Sequence, residues 1–267
     1  MEDNYSHIEE SLIYILENIP GPIHTSNEYR TLLENFESQI TNHCNCDQIC
    51  TKSLCICVMN SGGVCYINGK LQYDTDRTHP VFECNSLCPC SIDCGNRIVQ
   101  KGPVEGLTIA RCVETDKMSK GLGIFTSRAI SSGTFICEYA GEVITKSEAM
   151  KRHSENKKYE RMNYIFCLNE HSNGNVTQTF IDPSQFGNIG RYINHSCEPN
   201  CQIVPVRVDS LVPKLAIFAC EDIPPGAEIT FNYGALSNDE GTATEGERKP
   251  CLCGAALCSG WMPFQSY

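Results

Sequence analysis

The sequence predicts a mainly β fold in which a domain of several small sheets lies between two cysteine-rich, zinc-binding segments. Eight short strand-like runs, separated by Gly and Pro, fill residues 107–233. Most of the nineteen cysteines fall into a dense block at 44–94 and a short group at 251–258, with C-x-C spacings that suit a metal. The expected order is a helical arm (1–40), a zinc-cluster domain (41–106), a β domain (107–235) and a connector with a zinc-bound tail (236–267).

The N-terminal residues and the net charge indicate where the protein is located and what kind of partner it binds. The first residues, MEDNYSHIEES, lack the basic and apolar regions of a signal peptide, and no apolar run is long enough to span a membrane. We therefore expect an intracellular protein whose cysteines bind metal rather than form disulfides. The net charge of −11 disfavours non-specific DNA binding and favours a basic peptide partner, although solubility alone also explains such a charge.

Residues 1–40 show helical spacing of apolar side chains on both sides of a Pro-Gly-Pro break at 20–22. The first set is Ile8, Leu12, Ile15, Leu16 and Ile19, and the second set is Leu32, Leu33, Phe36 and Ile40. We expect a helical arm that packs over the later domain and carries no chemistry.

The cysteine block has the spacing of a metal cluster. Its nine candidate ligands are Cys44, Cys46, Cys50, Cys55, Cys57, Cys84, Cys88, Cys90 and Cys94. Two separate four-cysteine sites would leave one thiol over, whereas three tetrahedral zinc ions are satisfied when three of the sulfurs bridge. Cys65 lies between the two halves in a Gly-rich stretch and is expected to be a free thiol. Metal binding here would supply folding energy rather than catalysis.

The β domain follows a linker at 96–106. Its strand-like runs are 107–112, 123–130, 134–144, 162–168, 176–181, 202–208, 214–220 and 227–233. The polar interval 146–161, rich in Lys and Glu, predicts a surface helix between strands. Such a helix could border a substrate groove, but a solvated helix face is the simpler interpretation.

The end of the sequence holds an incomplete metal site. Cys251, Cys253 and Cys258 provide three thiolates, and tetrahedral zinc needs four ligands. Cys197 is the expected fourth ligand, which would hold the tail against the segment 191–200. Residues 235–250 are polar and without periodicity, so we expect a mobile connector to this tail.

Five short motifs carry the candidate site residues. Lys120-Gly121-Leu122-Gly123 offers glycines for close backbone approach to a ligand, although this motif alone is more often a simple turn. The other four are EYAGE at 138–142, NYIF at 163–166, RYINHSCEPN at 191–200 and EITFNYG at 228–234. One such motif is weak, but their order and the two cysteine groups reinforce each other.

These motifs, in this order, resemble the SET-domain protein lysine methyltransferases that carry pre-SET and post-SET zinc motifs. The resemblance covers roughly residues 40–267 and is greatest to the methyltransferase half of SETMAR-type proteins. It implies a SET fold with a knot-like C-terminal crossing and S-adenosylmethionine as the methyl donor. It also implies three zinc ions in the pre-SET cluster, one zinc ion at the post-SET site, and a nuclear, chromatin-associated enzyme whose expected substrate is histone H3.

The resemblance also implies roles for individual residues. The donor-binding residues would be Lys120, Gly121, Leu122, Gly123, Tyr164, Arg191, Tyr192, Asn194, His195 and Trp261. Tyr233 matches the catalytic tyrosine, Tyr164 matches a second tyrosine of the lysine channel, and Phe231 matches the position that tunes how many methyl groups are added. Tyr139 is expected to be mainly structural.

Two of these positions leave alternatives open. Most relatives carry Trp where this sequence has Leu122, so the effect on donor affinity depends on whether the backbone or the side chain makes the contact. Trp261 would close over the donor and the channel, or it would simply pack on the core as a tail aromatic.

The implied reaction sets a clear requirement on the site. A lysine ammonium has a pKa of about 10.4 in water and must lose its proton before it can attack a methyl group. A narrow aromatic channel beside a positive sulfur lowers that pKa by desolvation and like-charge repulsion. Tyrosine hydroxyls and main-chain carbonyls then orient the amine.

Two other functions remain open at this point. One is a catalytically weak SET module that serves as a chromatin or peptide-binding scaffold, which Leu122 favours. The other is a purely structural zinc protein, which leaves the 191–200 and 228–234 motifs unexplained. We expect a monomer that binds a histone tail or another basic peptide, with no direct DNA binding and no membrane contact.

Overall fold

A computed structural model describes residues 11–47, 50, 55–72, 79–112, 120–172, 174–234 and 249–263. Short strands dominate it, as predicted. The strands are β1 (Ile13–Tyr14), β2 (Ile19–Pro20), β3 (Tyr66–Ile67), β4 (Lys70–Leu71), β5 (Val81–Phe82), β6 (Leu107–Arg111), β7 (Leu122–Thr126), β8 (Phe135–Glu138), β9 (Glu142–Ile144), β10 (Phe166–Ser172), β11 (Asn175–Asp182), β12 (Phe186–Gly187), β13 (Asn194–His195), β14 (Cys201–Arg207), β15 (Lys214–Ala219) and β16 (Glu228–Phe231). The helices are α1 (Asn27–Glu37), α2 (Ile56–Asn60) and α3 (Lys146–Lys158), with 3-10 turns at Val99–Lys101 and Ile189–Tyr192.

The main sheet has the strand order β6-β7-β16-β14-β15-β8, and β13 and β5 attach to β16 and β14. Strand β16 pairs antiparallel with β7 but parallel with both β13 and β14. The last strand therefore lies among segments from earlier parts of the β domain, in keeping with the predicted C-terminal crossing. This pairing sets Asn194 opposite Thr230 and His195 opposite Phe231.

The predicted helical arm is correct only in its second half. Residues 12–19 do not form a helix: β1 pairs in parallel with β12, and β2 pairs in parallel with β9. Their backbone donors bind later segments of the chain, as in the bond from Ile13 N to the Gln185 carbonyl (2.8 Å), just before β12. The helical spacing of apolar residues does not correspond to a buried helix face here. Leu12 is buried, whereas Leu16, four residues later, is 47% exposed. Ile8 lies outside the described residues.

Helix α1 confirms the second apolar set, apart from Ile40. Ser26 caps it by accepting from Tyr29 N (3.1 Å), and Glu28 in its first turn complements the helix dipole. The helix ends at Glu37, and Ile40 instead donates its backbone N–H to the Asp209 carbonyl. Leu32 and Phe36 pack against the main core.

The predicted run 134–144 forms two strands rather than one. Gly141 separates β8 from β9, and a Cβ at this position would lie 2.6 Å from the Asp182 carbonyl carbon. Such a close backbone approach requires glycine and bends the chain there. The predicted surface helix is α3, which Thr145 caps through Glu148 N (3.1 Å).

Arg152 anchors α3 to the second sheet, which has the order β10-β11-β9-β2. Its guanidinium contacts the carboxylates of Glu142 (2.7 Å) and Asp182 (2.8 Å), both of which are buried. A third carboxylate, Glu148, lies 2.9 Å away on the same helix. These charge-assisted bonds hold α3 against the strands that precede the site.

The interior consists of separate apolar clusters. The largest lies in the β domain and includes Ile124, Ile217, Ile229 and Phe231, all with exposures of 2% or less. The cysteine block has a cluster of its own that consists almost entirely of sulfur-bearing side chains. Among the described residues, no helix is both long and apolar enough to cross a membrane.

Candidate functional site

The nine predicted cysteine ligands of the pre-SET block gather in one cluster. The Sγ atoms of Cys44, Cys50 and Cys84 lie 3.4–4.0 Å apart, and those of Cys57 and Cys88 lie 3.6 Å apart. Sulfurs around a tetrahedral zinc are about 3.8 Å apart, because each Zn–S bond is about 2.3 Å. The geometry therefore fits zinc.

Sulfurs in this cluster are shared between neighbouring sets of four. Three such sets have all their sulfurs within 4.8 Å of one another, and Cys44 belongs to every one of them. The three sets are Cys44–Cys50–Cys84–Cys90, Cys44–Cys55–Cys57–Cys84 and Cys44–Cys46–Cys50–Cys55. Shared ligands are what bridged zinc ions require, so the arrangement fits a multinuclear cluster better than isolated sites. Cys65 is buried in a different apolar cluster, away from these sets.

The tail cysteines meet Cys197, as the ligand count predicts. Cys197 Sγ lies 3.9 Å from the sulfurs of both Cys251 and Cys258, and Cys253 completes a set within 4.8 Å. Leu257 N also donates to the Glu198 carboxylate (3.1 Å). The tail is therefore attached to the loop that follows β13.

An aromatic cluster lies where β8, β10 and β16 meet. The ring of Phe231 is 4.8 Å from Tyr233 and 6.1 Å from both Tyr139 and Phe166. Phe231 and Phe166 are buried, and Tyr139 is 6% exposed. The cluster provides a dry wall of aromatic faces, the environment that the predicted lysine channel needs.

Two tyrosine hydroxyls of this wall bind main-chain carbonyls. Tyr233 donates to the Ile193 carbonyl (2.8 Å), and Tyr139 donates to the Tyr164 carbonyl (2.6 Å). Burial raises the pKa of Tyr233 well above its usual value, with smaller contributions from Tyr164 and Glu228. The Tyr233 hydroxyl therefore stays protonated over the physiological pH range.

His195 links the aromatic cluster to the tail site. Its Nδ1 accepts from Tyr233 N (3.2 Å), and its Nε2 lies 3.4 Å from Cys197 Sγ. Burial lowers the pKa of His195, so its neutral form is favoured. Because Nδ1 accepts, the neutral ring carries its proton on Nε2 and can donate it to the sulfur.

A polar network lies beside this cluster, around Glu228. The Glu228 carboxylate accepts from Asn194 Nδ2 (2.8 Å), Lys120 Nζ (2.7 Å) and Cys112 Sγ (3.3 Å). Asn194 Nδ2 also donates to the Leu122 carbonyl (3.0 Å). Burial, together with the Glu228 charge, raises the pKa of Cys112 to about 11, so this thiol stays protonated.

The glycines of the 120–123 motif shape this network. A Cβ on Gly123 would lie 2.7 Å from Cys112 Sγ, 2.9 Å from Glu228 Oε1 and 3.0 Å from Asn194 Nδ2. Gly121 has φ +82°, a conformation that side chains rarely adopt. Leu122 contributes its backbone carbonyl, and its side chain packs against the main core.

A third group of candidate site residues is held together by one guanidinium, that of Arg191, which lies beside the rings of Tyr164 and Tyr192. The Arg191 guanidinium lies 4.3 Å from the centre of the Tyr164 ring and 5.3 Å from that of Tyr192. Arg191 and Tyr192 are both buried in the 3-10 turn before β13. This cation–π contact restrains the Tyr164 ring, which is predicted to line the lysine channel.

Trp261 is not enclosed by the described residues, because 43% of its surface is exposed. Its backbone pairs with Pro250, and its carbonyl accepts from Ser259 Oγ (2.9 Å). The tail instead approaches Gly234, the neighbour of Tyr233, through Pro263, whose ring lies 3.1 Å from where a Gly234 Cβ would be. The role of Trp261 in donor binding stays a prediction.

Three residues of the site had no functional role in the sequence-based prediction. Glu228 opens the EITFNYG motif, and its charge inside a strand was the signal that could have identified it. Cys112 carried no motif. Tyr139 was expected to be mainly structural, and its ring packs against Phe231 while its hydroxyl donates to the Tyr164 carbonyl.

A β domain built around a parallel β13–β16 pair, with cysteine clusters before and after it, defines a SET-domain protein. Two family models agree: the SET domain matches residues 121–234, and the Pre-SET motif matches residues 2–97. The chain belongs to the SET-domain family, among the members that carry a Pre-SET motif. The Pre-SET match includes the segment predicted as a separate arm.

Two relatives illustrate the similarity. Human "Histone-lysine N-methyltransferase SETMAR" is 47% identical over 70% of this chain and 28% of its own length. The Caenorhabditis elegans "Probable histone-lysine N-methyltransferase set-23" is 35% identical over 98% of both chains. This chain spans between 28% and 62% of the length of the SETMAR relatives that it matches.

Solved structures show the same fold. The methyltransferase domain of human SETMAR matches with a TM-score of 0.77 and 36% identity, over 100% of this chain and 94% of that one. KRYPTONITE, in a complex with mCHH DNA, an H3(1-15) peptide and SAH, matches with a TM-score of 0.71 and 27% identity, over 95% of this chain and 48% of that one.

Proposed function

We propose that this protein is an S-adenosylmethionine-dependent lysine methyltransferase that acts on the tail of histone H3. The observation that carries the proposal is the pairing of β13 with β16. It places the Asn194–Glu228 network beside the aromatic wall that ends at Tyr233. A polar pocket that meets a dry channel is the layout that methyl transfer to an amine needs.

The polar network is the proposed donor site. S-adenosylmethionine would supply an electrophilic methyl group on a positively charged sulfur. A Cβ at Gly121 would meet nothing within 4 Å, so a ligand can approach the backbone there, and Asn194 keeps its amide nitrogen engaged with Glu228 and Leu122. Its amide oxygen remains an acceptor for a bound cation. Lys120, Leu122, Gly123, Tyr164, Arg191, Tyr192, His195 and Trp261 complete the proposed set.

The aromatic wall is the proposed lysine channel. Tyr139, Phe166 and Phe231 exclude water, which disfavours the charged ammonium and lowers the pKa of a bound lysine. Tyr233 and Tyr164 orient the amine, and the raised pKa of Tyr233 keeps its hydroxyl from acting as an anion there. Geometry and desolvation thus replace a general base.

Phe231 also bears on how many methyl groups are added. It is 2% exposed and has no hydroxyl with which to hold a water molecule in the channel. Without that anchor, the space can accommodate an already methylated amine. We therefore propose that the enzyme proceeds beyond monomethylation.

The leading alternative is a catalytically weak SET module that acts as a scaffold. Its main support was Leu122 in place of Trp. The Leu122 backbone carbonyl accepts from Asn194, and this bond does not depend on the side chain. Together with the protonated, well-positioned Tyr233, this contact favours the enzyme.

Histone H3 as substrate rests on relatives and on charge. KRYPTONITE has been solved with an H3 peptide, and a net charge of −11 suits a basic tail. We extend this to a nuclear, chromatin-associated role. A monomer that does not bind DNA directly stays a prediction.

The deciding experiment incubates the protein with labelled S-adenosylmethionine and all core histones, and then maps the label by mass spectrometry. Label on a lysine of H3, absent with Tyr233→Phe, supports the proposal. Donor binding by calorimetry without any labelled histone would favour the scaffold instead. Absence of donor binding would exclude the enzyme and favour the purely structural zinc protein.

A further inference from the structure

A cavity of about 560 Å³ lies outside the proposed active site. Four parts of the chain line it: the N-terminal arm near Tyr14–Glu17, the segment 99–107, strands β8 and β15, and the turn at 188–189. None of its lining residues belongs to the polar network or the aromatic wall described above. The volume falls within the range of small-molecule sites, which is about 300–1,000 Å³.

One buried carboxylate on the cavity wall is only half satisfied. Glu138 is 8% exposed, and its Oε2 accepts from Lys214 Nζ (2.9 Å). No donor from the described part of the chain reaches its Oε1. A buried carboxylate oxygen without a donor costs about 1–3 kcal/mol or more, so the site favours a molecule that supplies an N–H group.

The charge balance around Glu138 selects the kind of donor. Lys214 Nζ is shared with a second carboxylate, Glu17, at 3.1 Å. The side chain of Glu17 is 71% exposed, so water screens part of its charge, but Lys214 is still shared between two carboxylates and leaves this corner of the cavity partly negative. Lys101 and Glu105 also line the cavity but are exposed to water, which screens their charges.

The rest of the wall is mostly apolar. Val99, Leu107, Phe135 and Ile189 are buried and line the cavity, and Leu16 closes it from the arm. An apolar wall with one negatively charged corner matches a molecule with an aromatic or aliphatic body and a single positive end.

We propose that this cavity is a second binding site, for a small organic cation with an apolar body, and that an amine or amidine group of the ligand donates to Glu138 Oε1. The site needs neither methyl donor nor lysine peptide. The proposal for this site is therefore independent of the proposed enzyme activity, and each can be tested without the other.

The test uses the full chain with ¹³C-labelled Ile, Leu and Val methyl groups, titrated with benzylammonium and, in parallel, with neutral benzyl alcohol. A ligand of this size reaches a Kd of about 1 mM in a matching site. We expect benzylammonium to shift the methyl signals of Leu16, Val99, Leu107 and Ile189. Signals of Ile124 and Ile229, in the main sheet beside the polar network, should stay in place.

Glu138→Gln keeps the shape of the side chain and removes its charge, so we expect benzylammonium to bind at least about tenfold more weakly. Glu105→Gln is the matched control, because Glu105 lines the same cavity but pairs with Arg128 outside it (2.8 Å), and it should change nothing. If Glu138→Gln does not fold, the double variant Glu138→Gln/Lys214→Met removes both buried charges together.

Three outcomes overturn the proposal. The first is that benzylammonium does not shift the methyl signals of the cavity wall. The second is that benzyl alcohol shifts them equally, which would mean that the cavity binds apolar molecules without selecting for charge. The third is that Glu138→Gln binds as tightly as the natural chain, which would mean that water alone satisfies Oε1. The comparison of the two ligands needs no variant, so it decides the matter even if every variant is unstable.

Discussion

At the scale of single residues, Glu228 explains more of the site than any residue that the motifs identified. It receives hydrogen bonds from an amide, an ammonium and a thiol that come from three separate parts of the sequence. By holding Asn194 Nδ2, it determines which end of that amide remains available to a ligand. A motif could mark Asn194, but only the folded chain shows what orients it.

The first prediction concerns Glu228→Gln, which keeps the size of the side chain but loses the charge facing Lys120 and Asn194. We expect about tenfold weaker binding of S-adenosylmethionine by calorimetry, because hydrogen bonds to charged groups contribute about 1.5–3 kcal/mol. Glu170→Gln is the matched control, because Glu170 forms an ion pair with Arg207 (2.7 Å), which is outside the Glu228 network. Equal affinities for the two variants would contradict the positioning role.

The second prediction concerns the hydroxyl of Tyr233. Tyr233→Phe removes the bond to the Ile193 carbonyl and should lower turnover by roughly 10²-fold, because the geometry of the channel is disturbed. Donor affinity should stay within a few-fold. Tyr159→Phe, at the exposed end of α3, is the control and should keep full turnover. Near-normal turnover of Tyr233→Phe would place the catalytic role on another residue.

At the scale of elements, the period of apolar residues predicted the β domain and α1 but failed for residues 12–19. Those residues form two-residue strands whose partners, β12 and β9, are far away in sequence. Local spacing carries no information about such partners, because a strand of two residues has no period of its own. Tertiary pairing therefore overrode the local pattern.

The third prediction tests how the arm is held. A Cβ on Gly21 would lie 2.8 Å from Ile144 Cγ2 and 2.9 Å from the Val143 carbonyl oxygen, to which Gly21 N also donates. Gly21→Ala should push the arm away from β9 and lower the free energy of unfolding by about 1–3 kcal/mol, measured by urea denaturation.

The matched control for the arm is Gly95→Ala, because a Cβ at Gly95 meets open space. Its free energy of unfolding should stay within about 0.5 kcal/mol of the natural chain. If the two alanine variants had equal free energies of unfolding, the contact between the arm and β9 would contribute nothing to stability.

At the scale of the whole molecule, cysteine spacing predicted the most about the site. The rule of four ligands per zinc led from three tail cysteines to Cys197, more than fifty residues earlier, and the sulfurs do meet. Sequence could not show that His195 bridges this set to Tyr233, because that contact depends on the register of β13 against β16. The predicted connector at 235–250 lies almost entirely outside the described residues.

The fourth prediction tests the zinc content and the tail together. We expect about four zinc ions in the natural chain, three in the pre-SET cluster and one at the tail. Cys258→Ser should lose one of them and nearly all methylation, with a largely unchanged circular dichroism spectrum. The physical reason is that the freed tail admits water to the channel, which stabilises the charged lysine.

Cys220→Ser is the control for the tail, because Cys220 donates to the Pro199 carbonyl and belongs to none of the ligand sets formed by the described residues. It should keep both its zinc and its activity. Full activity of Cys258→Ser despite the lost zinc would show that the tail is no part of the active site.

The long-range pairing of the N-terminal arm also implies an order of folding steps. Ile13 and Ile19 pair with Phe186 and Glu142, more than 120 residues later, so both sheets must exist before the arm can close. Closing so long a loop is slow, and we expect this docking to be among the last steps of folding. Because Tyr14, Leu16 and Glu17 form one side of the cavity, its enclosure is finished only then. A molecule that binds there should therefore bind only to chains whose arm has docked, and by mass action it should make detachment of the arm rarer.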